Sequence, residues 1–157
     1  MARYNVTVYS VAALAADTAF AAIVPAATVA CKLRRVTLGV VAGTSPPTSQ
    51  QLVVGLSRGT ARGTATTTLT MNKMDPRHPA SAITGVDTVW STAPTFGAST
   101  ADVEKWPFNS QAGMDLPWEL VEELWTDIGT ANPLVFVNRD NALPASHKYV
   151  LKIETEE

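Results

Sequence analysis

Near residue 150 the chain sets His147, Tyr149, Leu151 and Ile153 against Lys148, Val150, Lys152 and Glu154. That is the period of two of a strand with one apolar and one charged face. Arg3 to Ser10 repeats it, with Tyr4, Val6 and Val8 alternating with Asn5, Thr7 and Tyr9, and is predicted as the first strand. Val29 to Ala42 carries Leu33, Val36, Leu38, Val40 and Val41 and stops at Gly43-Thr44-Ser45-Pro46-Pro47, the composition of a central strand followed by a loop. Further extended runs are predicted at Leu52 to Leu56, Thr66 to Lys73 and Ile83 to Trp90. They continue at Val103 to Phe108, with Glu104, Trp106 and Phe108 on one side, and at Leu134 to Asn138, followed by a turn at Asn141 to Pro144.

Other segments are less regular. Ala12 to Ala27 is alanine-rich but interrupted by Asp17-Thr18 and Val24-Pro25, which predicts a turn and then a short extended piece. Arg58-Gly59-Thr60 is nearly repeated by Arg62-Gly63-Thr64 and reads as an exposed glycine-rich connection. Asp75-Pro76 suits a single helical turn, Asp capping free amides and Pro opening the turn. Leu116 to Trp125 fits two descriptions: a short helix opened by Pro117 with Leu120 and Leu124 on one face, or two extended pieces using Trp118, Val121 and Trp125. About eight strands at turn-punctuated spacing, without βαβ alternation, indicate an all-β antiparallel sandwich or barrel with at most short helical turns. Residues 1–157 read as a single domain.

Composition agrees: only 17% of residues are charged, against about 25% in ordinary soluble domains. Ten prolines and nine glycines punctuate the chain too often for long helices. A net charge of −2 offers no basic excess for a nucleic-acid backbone or an anionic membrane, so neither is an expected partner. Val11 to Cys31 is apolar, yet its alanine content, Asp17 and Pro25 argue against a membrane span or leader. The expected product is soluble in the cytoplasm that makes it. Cys31 is the single cysteine; it reads as a small buried hydrophobe and can form no intrachain disulfide.

Catalytic chemistry has no positive signal. There is no Gly-x-Ser-x-Gly elbow and no phosphate-binding loop with a following Lys. His78 and His147 lack spaced partner ligands, and Glu119, Glu122, Glu123 and Asp127 lack a calcium-loop spacing. No metal, cofactor or catalytic residue is therefore expected. Trp90, Trp106, Trp118 and Trp125 lie in the second half of the chain, where they serve the core, a subunit interface or a sugar-binding face.

In order and spacing, a set of segments resembles the small jelly-roll decoration, cement or minor capsid proteins encoded among the head genes of tailed bacteriophages. They are Tyr4 to Tyr9, Arg34-Arg35-Val36-Thr37-Leu38-Gly39-Val40, Leu52 to Thr60 and Asp75-Pro76-Arg77-His78-Pro79-Ala80. Thr88 to Thr95, the aromatic strand ending at Phe108, Gly129 before Asn132-Pro133-Leu134, and Glu156-Glu157 complete the set. Ser110 to Met114 replaces a more Gly-rich stretch of the family, and Pro117 to Asp127 is more acidic and aromatic.

The period-two alternation predicts that Val6, Val8, Leu38, Val40, Val53, Tyr149, Leu151 and Ile153 contribute to the core. The resemblance implies a two-sheet jelly roll. It also implies a homotrimer that binds the major capsid protein on the outside of the mature phage head, hence a virion location. Candidate shell contacts are Met1, Ala2, Arg3, Tyr4 and Asn5 and the loops Gly43 to Gln51 and Arg58 to Thr64, because loops and termini adapt to a lattice while strands are committed to the core. Arg58 and Arg62 are the sharper pair, since guanidinium groups fork onto carboxylates. The alternative on the same scaffold is a carbohydrate- or receptor-binding module of a phage fibre, for which several solvent-facing tryptophans should lie coplanar.

Overall fold

The computed structural model describes residues 1–117 and 123–157. Among them it has thirteen strands: β1 (Arg3–Tyr9), β2 (Thr18–Val24), β3 (Lys32–Val41), β4 (Gln51–Ala61), β5 (Thr64–Leu69), β6 (Asn72–Lys73), β7 (Gly85–Thr92), β8 (Thr95–Phe96), β9 (Glu104–Asn109), β10 (Met114–Pro117), β11 (Leu124–Trp125), β12 (Leu134–Asn138) and β13 (Lys148–Glu156). The one helical element among the described residues is a 3-10 turn, Ser99–Ala101. Eight strands form two facing antiparallel sheets, ordered β10-β3-β13-β1 and β9-β4-β12-β2. Numbered along the chain, these eight pair first with last, last with third and third with sixth in one sheet. In the other, second pairs with seventh, seventh with fourth and fourth with fifth. That is the double Greek key of a jelly roll. The remaining five extend the edges: β6 beside β1, β11 beside β3, β7 and then β5 beyond β2, and β8 on β4, giving sheets of six and seven strands.

The core lies between the inner faces. Val6 and Val8 of β1, Val36 and Leu38 of β3, and Tyr149, Leu151 and Ile153 of β13 meet Leu52, Val54 and Leu56 of β4 and Leu134 and Phe136 of β12. Phe20 stacks on Tyr149 at 4.7 Å between ring centres, and Trp106 and Phe108 close the side along β9. The Tyr149 hydroxyl donates to Asn138 Oδ1 at 2.8 Å, so the buried phenol is satisfied and its acidity is suppressed by burial.

Several expectations are corrected. Val53 points away from the core and Val40 only packs against its margin, because Leu52 and Val54 set the inward register of β4. Arg58-Gly59-Thr60 is not a connection: β4 continues through it, Gly59 donating to the Pro133 carbonyl at 2.7 Å. Only Arg62 and Gly63 turn. Gly63 has φ +72°, and a Cβ there would strike the Ala93 backbone. Thr66 to Lys73 divides between two sheets as β5 and β6. Asp75 caps a tight turn rather than a helix, its Oδ1 accepting from the Arg77 amide at 2.9 Å, and the turn expected at Asn141 to Pro144 falls at Ala145 and Ser146. Glu104 is exposed at the start of β9 while Trp106 and Phe108 are buried. Leu116 and Trp125 lie on β10 and β11, in extended pieces; Trp118, Glu119, Leu120, Val121 and Glu122 fall outside the described residues.

The outer face of the seven-stranded sheet is itself covered. Ala19 and Ala22 of β2 and Val135 and Val137 of β12 form a second apolar cluster on which Trp90 and Phe96 pack. The segment from Phe96 to Val103 lies over this face, fastened by Arg139. That guanidinium donates to Asp102 at 2.5 and 2.9 Å, to the Gly97 carbonyl at 2.8 Å and to Asp17 at 3.1 Å, and its carbon stands 5.2 Å from the Phe96 ring centre. The Asp102 side chain is 0% exposed. Gly55 makes room below the pair, where a Cβ would press on the Asp102 carboxylate and come within 2.8 Å of Arg139 Cγ.

Candidate functional site

Strand order decides which candidate residues share a surface. β3 runs from Lys32 to Val41 and β4 returns from Gln51 to Ala61, so Gly43 to Gln51 closes one end of the sandwich and Arg58 to Thr64 lies at the other. Eleven residues of β4 place these about 30 Å apart. A flat surface meets one or the other end-on.

The end opposite Gly43 to Gln51 gathers most of the expected contacts. Met1 is exposed there, and Ala2 exchanges backbone hydrogen bonds with Glu157 at 3.1 and 3.0 Å. Arg3, Tyr4 and Asn5 are not a loose arm: they open β1, paired with Glu156, Thr155 and Glu154. Tyr4 is 1% exposed and its hydroxyl donates to the Pro79 carbonyl at 3.2 Å, which removes it as a surface contact. The Arg3 guanidinium stands 3.5 Å from Glu156 and is largely exposed. Arg58 donates to the Trp125 carbonyl at 3.3 Å.

Trp125 itself is 42% exposed, with the Lys32 ammonium 4.6 Å over its ring and its indole N–H donating to Glu123 at 3.2 Å. Lys32 and Glu123 are joined at 2.6 Å, and Arg34 forks onto Glu156 at 2.8 and 3.1 Å. Arg34 thereby holds the Glu156 carboxyl below its ordinary range, and Lys32 does the same for Glu123. Exposed Ile128 and Met74 flank the network; Gly129 bonds to Ala26, and Met74 to Arg3. The result is two exposed guanidiniums, Arg3 and Arg58, over a largely covered network of Lys32, Arg34, Glu123 and Glu156, beside exposed apolar side chains.

Arg62 does not belong to that group. It forks onto Asp87 at 2.7 and 2.9 Å, and Asp87, fully buried, also accepts from Thr68 at 2.5 Å. Its guanidinium is therefore a structural clasp on the paired strands β5 and β7, a role the Arg-Gly-Thr repeat gave no sign of. Trp106 is buried, 6.2 Å from Phe136. Trp90 is half-buried on the outer cluster, and its indole nitrogen is buried with no hydrogen-bond partner among the described residues. The described tryptophans thus form no coplanar exposed row. Cys31 is buried, its amide donating to Thr126 Oγ1 at 3.0 Å, and burial pushes its thiol up to about 12, which makes it inert as a nucleophile.

Concavities mark both broad faces. A shallow one of about 450 Å³ lies on the outer six-stranded sheet among Thr37, Gly39, Met114, Asp115 and Lys152. Another of about 310 Å³ lies among Val11, Leu14, Val89, Trp90, Ala93 and Phe96. Among the described residues, no group of three His, Cys, Asp or Glu stands close enough to hold a metal ion. No family model, curated protein or solved structure matches the chain.

Proposed function

We propose that this chain is a capsid decoration protein that binds the outer surface of a mature phage head and stabilises the shell, acting as a homotrimer. The observation that carries this reading is the jelly-roll strand order, the architecture implied by the resemblance of the chain's segments to that family. A ligand that binds only the expanded lattice stabilises it by mass action, and three identical sandwiches close a ring through heterologous contacts.

The end bearing Met1, Arg3, Arg58 and Trp125 is the surface we assign to the shell. It combines unburied apolar groups with guanidiniums already oriented by neighbours, which lowers the entropy lost on docking. Co-sedimentation with expanded and unexpanded heads of the phage that encodes the chain tests the reading. The protein should pellet with expanded heads only, and Arg3→Ala with Arg58→Ala should weaken that binding and flatten its salt dependence. Pelleting with neither form contradicts the function; undiminished binding by the double variant moves the contact elsewhere. Sedimentation velocity of the unbound protein should show a trimer, and a monomer would make trimerisation depend on the shell.

A further inference from the structure

The loop after β3 is fastened at the end of the sandwich opposite the proposed shell contact, and one of its fasteners is a histidine. His147 is 5% exposed. Its Nε2 accepts from the Thr48 amide at 3.0 Å, and its Nδ1 stands 3.1 Å from the Ala145 carbonyl. A backbone N–H can only donate, so Nε2 must be the bare nitrogen and Nδ1 must carry the proton toward Ala145. The site offers the ring one donor and one acceptor, which a neutral imidazole matches in full. An imidazolium has two N–H donors. Its second proton would point at the Thr48 N–H, and rotating the ring does not cure the mismatch.

The other fasteners of this loop do not titrate in the same range. Ser110 Oγ donates to the Thr48 carbonyl at 2.5 Å and accepts from the Gln50 amide at 3.0 Å. Gln111 donates to the Pro47 carbonyl, Asn109 to Ser49 Oγ and Gln50 to the Ala142 carbonyl. Residues 43–50 and 110–113 contain no charged side chain. The segments that complete this end, 10–17 and 139–148, carry Asp17, Arg139, Asp140 and Lys148; Asp17 is bonded to Arg139 at 3.1 Å. Among the described residues no carboxylate is hydrogen-bonded to the ring.

We infer that His147 is a pH-sensitive latch: neutral, it holds the Thr48 amide and the loop 43–50 in place, and protonation of the ring releases them. The Nε2 lone pair that receives the Thr48 N–H exists only in the neutral ring, so the contact is lost when the ring is protonated. This device does not depend on what the loop touches.

The chain has only two histidines, which makes the test clean. Hydrogen exchange of the whole protein is followed at pH 7.5 and 5.0, corrected for intrinsic exchange, alongside NMR titration of the imidazoles. Peptides covering 43–50 should exchange about tenfold faster in acid, while β3 and β13 stay protected. His78→Gln should behave like the parent. His147→Gln, whose amide oxygen can still accept from Thr48, should lose the acid response. Unchanged protection of 43–50 at pH 5.0, with His147 either protonated or still neutral, overturns the latch, as does an acid response retained in His147→Gln. Should that variant fail to fold, the imidazole signals and exchange of His78→Gln alone decide.

Discussion

The two sheets share one core but differ on their outer faces. Behind the six-stranded sheet Arg35, Asp115, Lys152 and Glu154 stand in partial contact with solvent, so β1 and β13 alternate cleanly. The seven-stranded sheet is roofed by Phe96 to Val103, and every residue of β12 is buried, as is every residue of β2 after Thr18. A sheet buried on both sides loses its period of two and reads as continuous apolar sequence. The difference also assigns the ion pairs distinct duties: on the open face they decorate the surface, and on the covered face they hold a lid of chain in place.

The largest way to break this contrast is Arg139→Ala. It strands the buried Asp102 carboxylate and frees the segment over Gly55 and Val135, and should cost about 3–5 kcal/mol in denaturant unfolding. Next is Arg62→Ala, which leaves buried Asp87 with Thr68 as its remaining partner. Because the Arg62 side chain is partly exposed, about 2–3 kcal/mol is expected by the same measurement; the sequence reading, taking the residue for a loop arginine, expects no loss.

A smaller effect appears with pH. The Glu156 carboxyl, held low by Arg34, contributes stability that is fully present above the ordinary glutamate range. It is lost as the pH falls below that range, because the unfolded chain takes up the proton first. Glu156→Gln should flatten the acid limb of the stability profile followed by circular dichroism. The smallest effect is Arg35→Ala on the open face. There the fork onto Asp115 is about half exposed, and its loss should leave the unfolding midpoint nearly unchanged, with any difference vanishing in salt.

How much was legible follows from the same contrast. β13 could be read residue by residue because water selects Lys148, Lys152 and Glu154 on one side. β2 could not, since Thr18-Ala19-Phe20-Ala21-Ala22 packs on both sides and carries a bulge opposite Phe136 and Val137. The lid was invisible because Asp102 and Arg139 lie 37 residues apart, and nothing local marks either as paired. Within the candidate site, Arg3 and Arg58 were legible as cations near chain features that suggested exposure. Their convergence with Trp125 depends on strand order, which no local pattern encodes. Tyr4 was a poor contact candidate from the start, since its alternation with Val6 and Val8 already set it on the apolar face of the first strand, where it is buried, whereas the His147 to Thr48 bond spans 99 residues.

The most direct test of the proposed role is a cryo-electron reconstruction of expanded heads, lacking their own decoration, after incubation with the purified chain. Added density is expected outside the shell at three-fold positions, three jelly rolls per site. The end with Met1, Arg3, Arg58 and Trp125 should face the lattice. Bare heads in the presence of excess folded protein would contradict it.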